Sequence, residues 1–305
     1  MAARTGPLML LDSASMYFRA FYGVPDTVTA PDGTPVNAVR GFLDNIAFLV
    51  RTRRPARLVA CLDADWRPAF RVEALASYKA HRANFDGTEE VPDLLTPQVP
   101  IIEDCLEALG IAHFGVPGYE ADDVIGALAA RADGPVEVVT GDRDLFQVVD
   151  DERNVKVLYI GRGVAKLQVV DDAWLRDKYG VTGATYADFA TLRGDPSDGL
   201  PGVAGVGERT AADLVGKHGG IEGILAALDD GTLTPNATRK IAAAREYLRA
   251  APGVVRVATD LPLPDHDATL PTEPADPQRL VKLSETWGLD SPLNRLLGAL
   301  AGDSS

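Results

Sequence analysis

Apolar positions in the first 170 residues follow two alternating rhythms. Leu8-Met9-Leu10-Leu11-Asp12, Leu58-Val59-Ala60-Cys61-Leu62-Asp63 and Val136-Glu137-Val138-Val139-Thr140 are short, nearly unbroken runs that read as buried strands. Between them, residues 15–23, 37–53, 96–109 and 121–132 place apolar side chains at helical spacing. Strands alternating with helices predict an α/β domain over 1–170, with a mainly parallel central sheet and flanking helices. Residues 154–160 and 164–167 read as a later hairpin turned by Gly161-Arg162-Gly163. From about residue 171 the strand runs stop. Segments 171–179, 186–193, 208–216, 221–228 and 237–250 are helical in pattern, so 171–305 is expected to form a second, helical region. Residues 260–278, rich in Pro and Asp, read as a surface connection, and a last helix is expected from Pro277 into Leu283.

One stretch breaks the rhythm. Residues 66–95 carry Arg67, Arg71, Lys79, His81 and Arg82, followed by Asp86-Gly87-Thr88-Glu89-Glu90. That is long for an ordinary connection and predicts a mobile element beside the working face.

Composition narrows the class. With 46% hydrophobic and 24% charged residues, the chain is globular rather than disordered. No run approaches the ~18 apolar residues of a membrane span, and the N-terminus lacks a signal-peptide pattern. Cys61 and Cys105 each sit in an apolar stretch and read as small buried side chains, not as a disulfide or zinc site. A cytoplasmic location is expected. The formal net charge of −14 speaks against nucleic-acid binding, unless many acids converge on one metal site.

The acids are placed for such convergence. Asp12, Asp63 and Asp142 stand at or just after strand ends, where open α/β sheets bind ligands. Gly118-Tyr119-Glu120-Ala121-Asp122-Asp123 sets three acids at a helix start, a pattern that also serves capping and the helix dipole. Thr140-Gly141-Asp142-Arg143-Asp144 adds Asp144, and Gly194-Asp195-Pro196-Ser197-Asp198-Gly199 adds Asp195 and Asp198. Two carboxylates ~4 Å apart repel by roughly 4 kcal/mol at an effective dielectric of ~20, so protonation or bound cations must relieve a cluster. All-oxygen ligation suits hard ions such as magnesium or manganese. Two or more such ions can activate water and stabilise the leaving oxygen of a phosphodiester. The histidines, His81, His113, His218 and His266, do not cluster in sequence.

The second signal is Pro201-Gly202-Val203-Ala204-Gly205-Val206-Gly207-Glu208-Arg209-Thr210-Ala211. Gly202, Gly205 and Gly207 permit a tight hairpin with close backbone approach, and a helix follows directly. Hairpin amides and a helix N-terminus make a phosphate seat, with Arg209, Thr210 and Lys217 beside it. The other reading is a plain helix-turn-helix packing element.

On LLDSASMYFRAF, LDADWRPAFRVEALASYKAHR, GYEADDVIG, VVTGDRDLFQVV and GDPSDGLPGVAGVGERTA, the chain resembles the flap endonuclease or 5′-nuclease family. It is most similar to the bacterial branch, including the N-terminal 5′→3′ exonuclease domain of DNA polymerase I. The likeness runs from about Leu8 to Leu248, and without a following polymerase domain the chain looks like a stand-alone member. The resemblance implies a PIN-like nuclease fold with a helix-hairpin-helix motif at 201–211. It also implies 5′-flap endonuclease and 5′→3′ exonuclease activity in DNA replication and repair.

Two or three Mg²⁺ or Mn²⁺ ions would then serve the reaction. By motif match, Asp12, Asp63, Glu120 and Asp122 would hold the first, and Asp122, Asp142, Asp144 and Asp195 the second. Asp123 and Asp198 would complete the outer shell or a third ion. Lys79 and Arg82 would neutralise the scissile phosphate, with Asp122 and Asp142 central to catalysis. Phe18 would stack on the terminal base, Arg19 would meet the backbone, and Arg71 and Tyr78 would join the DNA contacts. The insertion at 66–95 would form the arch over the 5′ strand, and the hairpin would grip duplex DNA, with a potassium ion there. Substrates would be branched or flapped DNA and RNA–DNA hybrids, bound by a monomer without a membrane. Ser13 departs from the Gly that many bacterial members carry. The competing readings are a PIN-like ribonuclease and a non-catalytic branched-DNA binding protein.

Overall fold

The computed structural model describes residues 5–84 and 90–302. The Asp86-Gly87-Thr88-Glu89 part of the insertion lies outside the described residues. Along the chain run β1 (Leu8–Asp12), α1 (Ser13–Gly23), α2 (Asn37–Arg53), β2 (Arg57–Cys61), α3 (Ala69–Ala74), α4 (Gln98–Leu109) and β3 (Ala112–Phe114). Then come α5 (Ala121–Arg131), β4 (Val136–Thr140), β5 (Val155–Tyr159), β6 (Gln168–Val170), α6 (Asp172–Tyr179) and α7 (Gly183–Arg193). The remainder is α8 (Glu208–His218), α9 (Ile221–Asp229), α10 (Pro235–Ala243), α11 (Arg245–Ala250), α12 (Pro252–Val255), α13 (Pro277–Trp287) and α14 (Asp290–Ala301).

The six strands form one sheet in the order β3-β2-β1-β4-β5-β6, parallel except for β6. The chain winds outward from β1 through β2 to β3, then crosses back to set β4 on the other side of β1. The order therefore reverses between β1 and β4, and side chains beyond the carboxyl ends of these two strands face a crevice. Alternation along each strand divides the core. Leu8, Leu10, Val59, Cys61, Val136 and Val138 face α5 and the helical region, while Met9, Leu11, Leu58, Ala60 and Val139 face α1, α2 and α4. Burial on both faces is what the unbroken apolar runs encode.

Several elements differ from expectation, each for a local reason. The hairpin return is displaced: Val164–Lys166 forms a 3-10 turn after Gly163, at φ 89°, and β6 pairs only from Gln168. Strand β3 is a three-residue edge strand of half-buried residues, too short to leave a pattern. The helix expected over 237–250 breaks at Ala244, whose φ of −102° and ψ of 9° leave the helical region. The insertion is not free throughout: Arg71 and Tyr78 are buried at its base.

Residues 260–276 carry no regular element, yet Leu261 and Leu270 are buried, and the Leu58 amide donates to the Ala268 carbonyl at 2.7 Å. The largest difference lies at the C-terminus. Helix α13 continues to Trp287, and α14 packs across α2, adding Leu293, Leu296 and Leu300 to the core of the α/β domain. The helical region expected over 171–305 thus gives its last two helices back to the first domain. No helix among the described residues is long and apolar enough to cross a membrane.

Candidate metal centre and nucleic-acid interface

The crevice at the β1/β4 reversal opens into a cavity of about 480 Å³. Six of the nine expected acids line it: Asp12, Asp63, Glu120, Asp122, Asp142 and Asp195. Local structure explains their placement. Asp12 ends β1 and caps α1 by accepting from the Ser15 amide at 3.1 Å, while its other oxygen accepts from Thr140 Oγ1 at 2.6 Å. Glu120 caps α5, and Asp63 accepts from the next amide, Ala121, at 2.7 Å. Thr140 Oγ1 accepts from the Asp142 amide, and Asp142 accepts from the Asp144 amide at 2.9 Å. The capping reading of these acids and the site reading therefore apply to the same side chains.

Burial sets the electrostatics. It pushes the Asp12 carboxyl up to about 7 against the hydrogen bonds from Thr140 and Ser15, with Asp63 and Asp142 adding repulsion. Burial likewise takes Glu120 to about 7, although Lys79 and Arg71 pull it back. Asp122 is held well above the ordinary value by burial and then by Asp12, Asp142 and Glu120. Burial also raises Asp144, and Asp142, Asp198 and Asp195 add to it. Asp63 is raised by the protein packed around it, although its residue opens onto solvent, where water blunts the effect.

Lys79 and Arg82 face the same cavity. Lys79 Nζ donates to Glu120 Oε2 at 3.0 Å and to the Trp66 carbonyl at 3.3 Å. Burial opposes the Lys79 charge, but Glu120, Asp198, Asp63 and Asp122 outweigh it, and its pKa lies above the ordinary lysine value. Arg82 donates to Asp198 Oδ1 at 2.9 Å and to the Ser197 carbonyl at 2.8 Å. Phe18 lines both this cavity and an open groove on its far side, where Tyr22, Arg19 and Arg162 lie. Arg19 donates to the Gly141 carbonyl at 3.0 Å.

Five residues expected at the site, Arg71, Tyr78, Asp123, Asp144 and Asp198, do not line the cavity, and for Arg71 and Tyr78 burial corrects the DNA contact expected from sequence. Asp123 does not line the cavity: both its oxygens accept from Arg71, at 2.7 and 2.8 Å, and it is fully buried. Arg71 is 2% exposed, so its guanidinium has no path to a DNA phosphate. Tyr78 is also buried, and its hydroxyl donates to Glu120, at 2.9 and 3.0 Å to the two oxygens. Asp144 and Asp198 stand behind the lining residues rather than among them. Trp66, Arg143 and Arg193 line the cavity without having been singled out. Their one signal was adjacency, since each lies within three residues of a lining acid.

The glycine hairpin is joined to this centre. Gly202 and Gly205 take φ of 65° and 74°, which favour glycine. Added at Gly202, a Cβ would lie 2.5 Å from the Arg193 carbonyl oxygen, so the hairpin packs on the loop that carries Asp195. That loop is closed by paired backbone hydrogen bonds between Asp195 and Leu200, at 2.8 and 2.9 Å. Arg209, Thr210 and Lys217 are exposed on α8. Lys240 Nζ, on α10, donates to the Gly205 carbonyl at 2.5 Å. A cation from the chain itself thus meets one hairpin carbonyl.

The donor set fits hard divalent ions. The six acids on the cavity wall offer only carboxylate oxygens, and those that are desolvated repel one another, a cost that bound cations offset. Among the described residues, no three His, Cys, Asp or Glu are already gathered into a ligand cage. The fit therefore rests on donor chemistry and desolvation.

A pH dependence follows. Between an ordinary value of 3.8 or 4.5 and a folded value of about 7, the folded protein holds protons on Asp12 and Glu120 that the unfolded chain has released. Stability without metal should therefore fall as pH rises through that window. Thermal unfolding in EDTA is expected to give a lower Tm at about pH 8 than at about pH 5.5, with Mg²⁺ narrowing the difference. A Tm that rises with pH in EDTA would remove the desolvated-acid account.

Two family profiles match the chain. One, described as "5'-3' exonuclease, N-terminal resolvase-like domain", covers residues 7–180, and the other, "5'-3' exonuclease, C-terminal SAM fold", covers 181–278. A protein of Streptomyces coelicolor named 5'-3' exonuclease is 60% identical, over 96% of this chain and 99% of that protein. DNA polymerase I of Mycobacterium leprae is 38% identical over 96% of this chain and 32% of its own length. Among solved structures, the T5 5'-exonuclease with bound divalent metal ions (zinc) superposes with a TM-score of 0.64 at 16% identity. That match covers 98% of this chain and all of the other.

Proposed function

The chain belongs to the 5′-3′ exonuclease family, and from that premise we propose that it is a structure-selective nuclease that cuts branched or flapped DNA near the 5′ junction. The carrying observation is the set of six carboxylates lining the cavity at the β1/β4 reversal, with Phe18, Lys79 and Arg82 on the same wall and the glycine hairpin packed on the loop that carries Asp195. Asp12, Asp63, Glu120 and Asp122 would hold one divalent ion, and Asp122, Asp142 and Asp195 a second. Asp144 and Asp198 act from behind. Bound there, Mg²⁺ or Mn²⁺ would lower the pKa of water and offset charge on the leaving oxygen.

The chain's own residues do the rest. Lys79 and Arg82 set positive charge beside the scissile phosphate, exchanging their carboxylate partners for its oxygens. Phe18 offers a stacking surface to the terminal base, and Arg19 meets the adjoining backbone. Gly205, Gly207 and the start of α8, with Arg209, Thr210 and Lys217, seat the duplex through its phosphates irrespective of sequence. RNA–DNA hybrids share these backbone features and are proposed as substrates too. The protein is taken to act as a monomer in the cytoplasm.

The test is cleavage of a 5′-labelled flap duplex with Mg²⁺, with Mn²⁺ and with EDTA, beside single-stranded RNA and blunt duplex. Metal-dependent products ending near the junction are expected. Cutting of RNA alone would replace this reading with a ribonuclease, and tight metal-independent flap binding without cutting would replace it with a binding protein.

A further inference from the structure

Arg71 sits in α3 amid the insertion's basic residues, yet every side of its guanidinium is engaged within the protein. Nη1 and Nη2 donate to Asp123 Oδ2 and Oδ1 at 2.8 and 2.7 Å, and Nε donates to the Val254 carbonyl at 2.9 Å. Nη1 also lies 3.4 Å from Glu120 Oε2. The rings of Phe70 and Tyr78 flank it, with centroids 5.0 and 5.8 Å from Cζ. Asp123 is equally committed: Oδ1 accepts from the Ala258 amide at 2.8 Å, and Oδ2 accepts from the Glu120 amide at 3.2 Å.

Three separate stretches of chain therefore meet at one buried ion pair. They are the base of the insertion, the start of α5, and α12 with the segment that follows it. A buried pair of this kind is poor evidence for stability alone, because desolvation cancels much of the attraction. What it fixes is geometry. The guanidinium fork is planar, and it serves a carboxylate and a carbonyl at once only in one orientation.

We infer that Arg71 and Asp123 are positioning residues: together they form a clasp that orients Glu120 and the first turn of α5, and hence Asp122, for divalent-ion binding. This rests on reading the acidic cavity as the metal centre. Glu120 is the point of control, because Asp123 holds its amide while Arg71, Tyr78 and Lys79 converge on its carboxylate. Lysine at position 71 would keep the charge but lose the fork, so it separates orientation from electrostatics.

The test compares Arg71→Lys and Asp123→Asn with the natural full chain. Mn²⁺ binding is measured first, without DNA, by the electron-paramagnetic signal of free Mn²⁺. The dissociation constant of the Arg71→Lys protein is expected to rise by about 10–100-fold, the usual effect of losing a group that orients a metal ligand. At fixed Mg²⁺, kcat on a flap duplex should fall by a similar factor and recover partly at high Mg²⁺, with KM within about twofold. Circular dichroism confirms folding, and Asp123→Asn, which keeps side-chain shape, carries the test if Arg71→Lys does not fold. Folded variants with unchanged Mn²⁺ affinity would overturn the clasp. So would a raised KM at unchanged kcat, which would make Arg71 a phosphate contact. If the natural chain cuts no flap at all, the nuclease reading fails, and Mn²⁺ affinity still decides the clasp.

Discussion

Replacing Asp122 with Asn is expected to reduce flap cleavage by about a thousandfold or more, the scale of several kcal/mol of lost transition-state stabilisation. The same change should leave the metal-free protein as stable as before, or more stable. Asp122 is the acid most crowded by its own kind, with Asp12, Asp142 and Glu120 all disfavouring its charge after burial has done so. An amide keeps the shape and removes that repulsion. Activity and metal-free stability should thus move in opposite directions, a pairing that a merely structural residue does not produce. Cleavage rates and a Tm in EDTA read the two halves. Retained activity would remove Asp122 from the centre, and a large loss of Tm would make it a folding residue. Asp142→Asn should lose comparable activity.

Lys79→Ala is expected to lower the single-turnover rate by about a hundredfold while changing flap affinity by less than about threefold. Lys79 stands on the cavity wall with its ammonium on Glu120 and the Trp66 carbonyl, placed to meet charge that develops in the reaction. In the proposed reading the hairpin and α8 seat the duplex elsewhere, so most binding should survive. Stopped-flow cleavage and a binding titration in Ca²⁺ separate the two. Equal losses would move Lys79 from chemistry to docking.

The sheet and the site were legible to different depths. Runs such as Leu8-Met9-Leu10-Leu11 announce a strand buried on both faces, because no polar position interrupts them. The acids that follow such runs were legible because strand ends in this topology face a crevice. What sequence could not show is which acid turns inward. Asp122 and Asp123 are neighbours of one type on one helix turn, and a rotation of ~100° sends one to the cavity and the other to Arg71. Arg71 and Arg82 posed the same difficulty, for both were expected at the DNA, and only the packing of α12 and its following segment over the first sets them apart. Ser13 is a quieter case: its hydroxyl is buried and finds no partner among the described residues, which composition alone does not reveal. Helix α14 escaped notice because its apolar face answers a partner far away in sequence, on α2.

That distant partnership has a consequence for how the protein is made. About 240 residues separate the end of α2 from the start of α14. At elongation rates of about 5–20 residues per second, the ribosome needs on the order of tens of seconds to span them. Throughout that interval the apolar stripe on α2 has no α14 to cover it, so the last folding step of the first domain waits until α14 has left the ribosome.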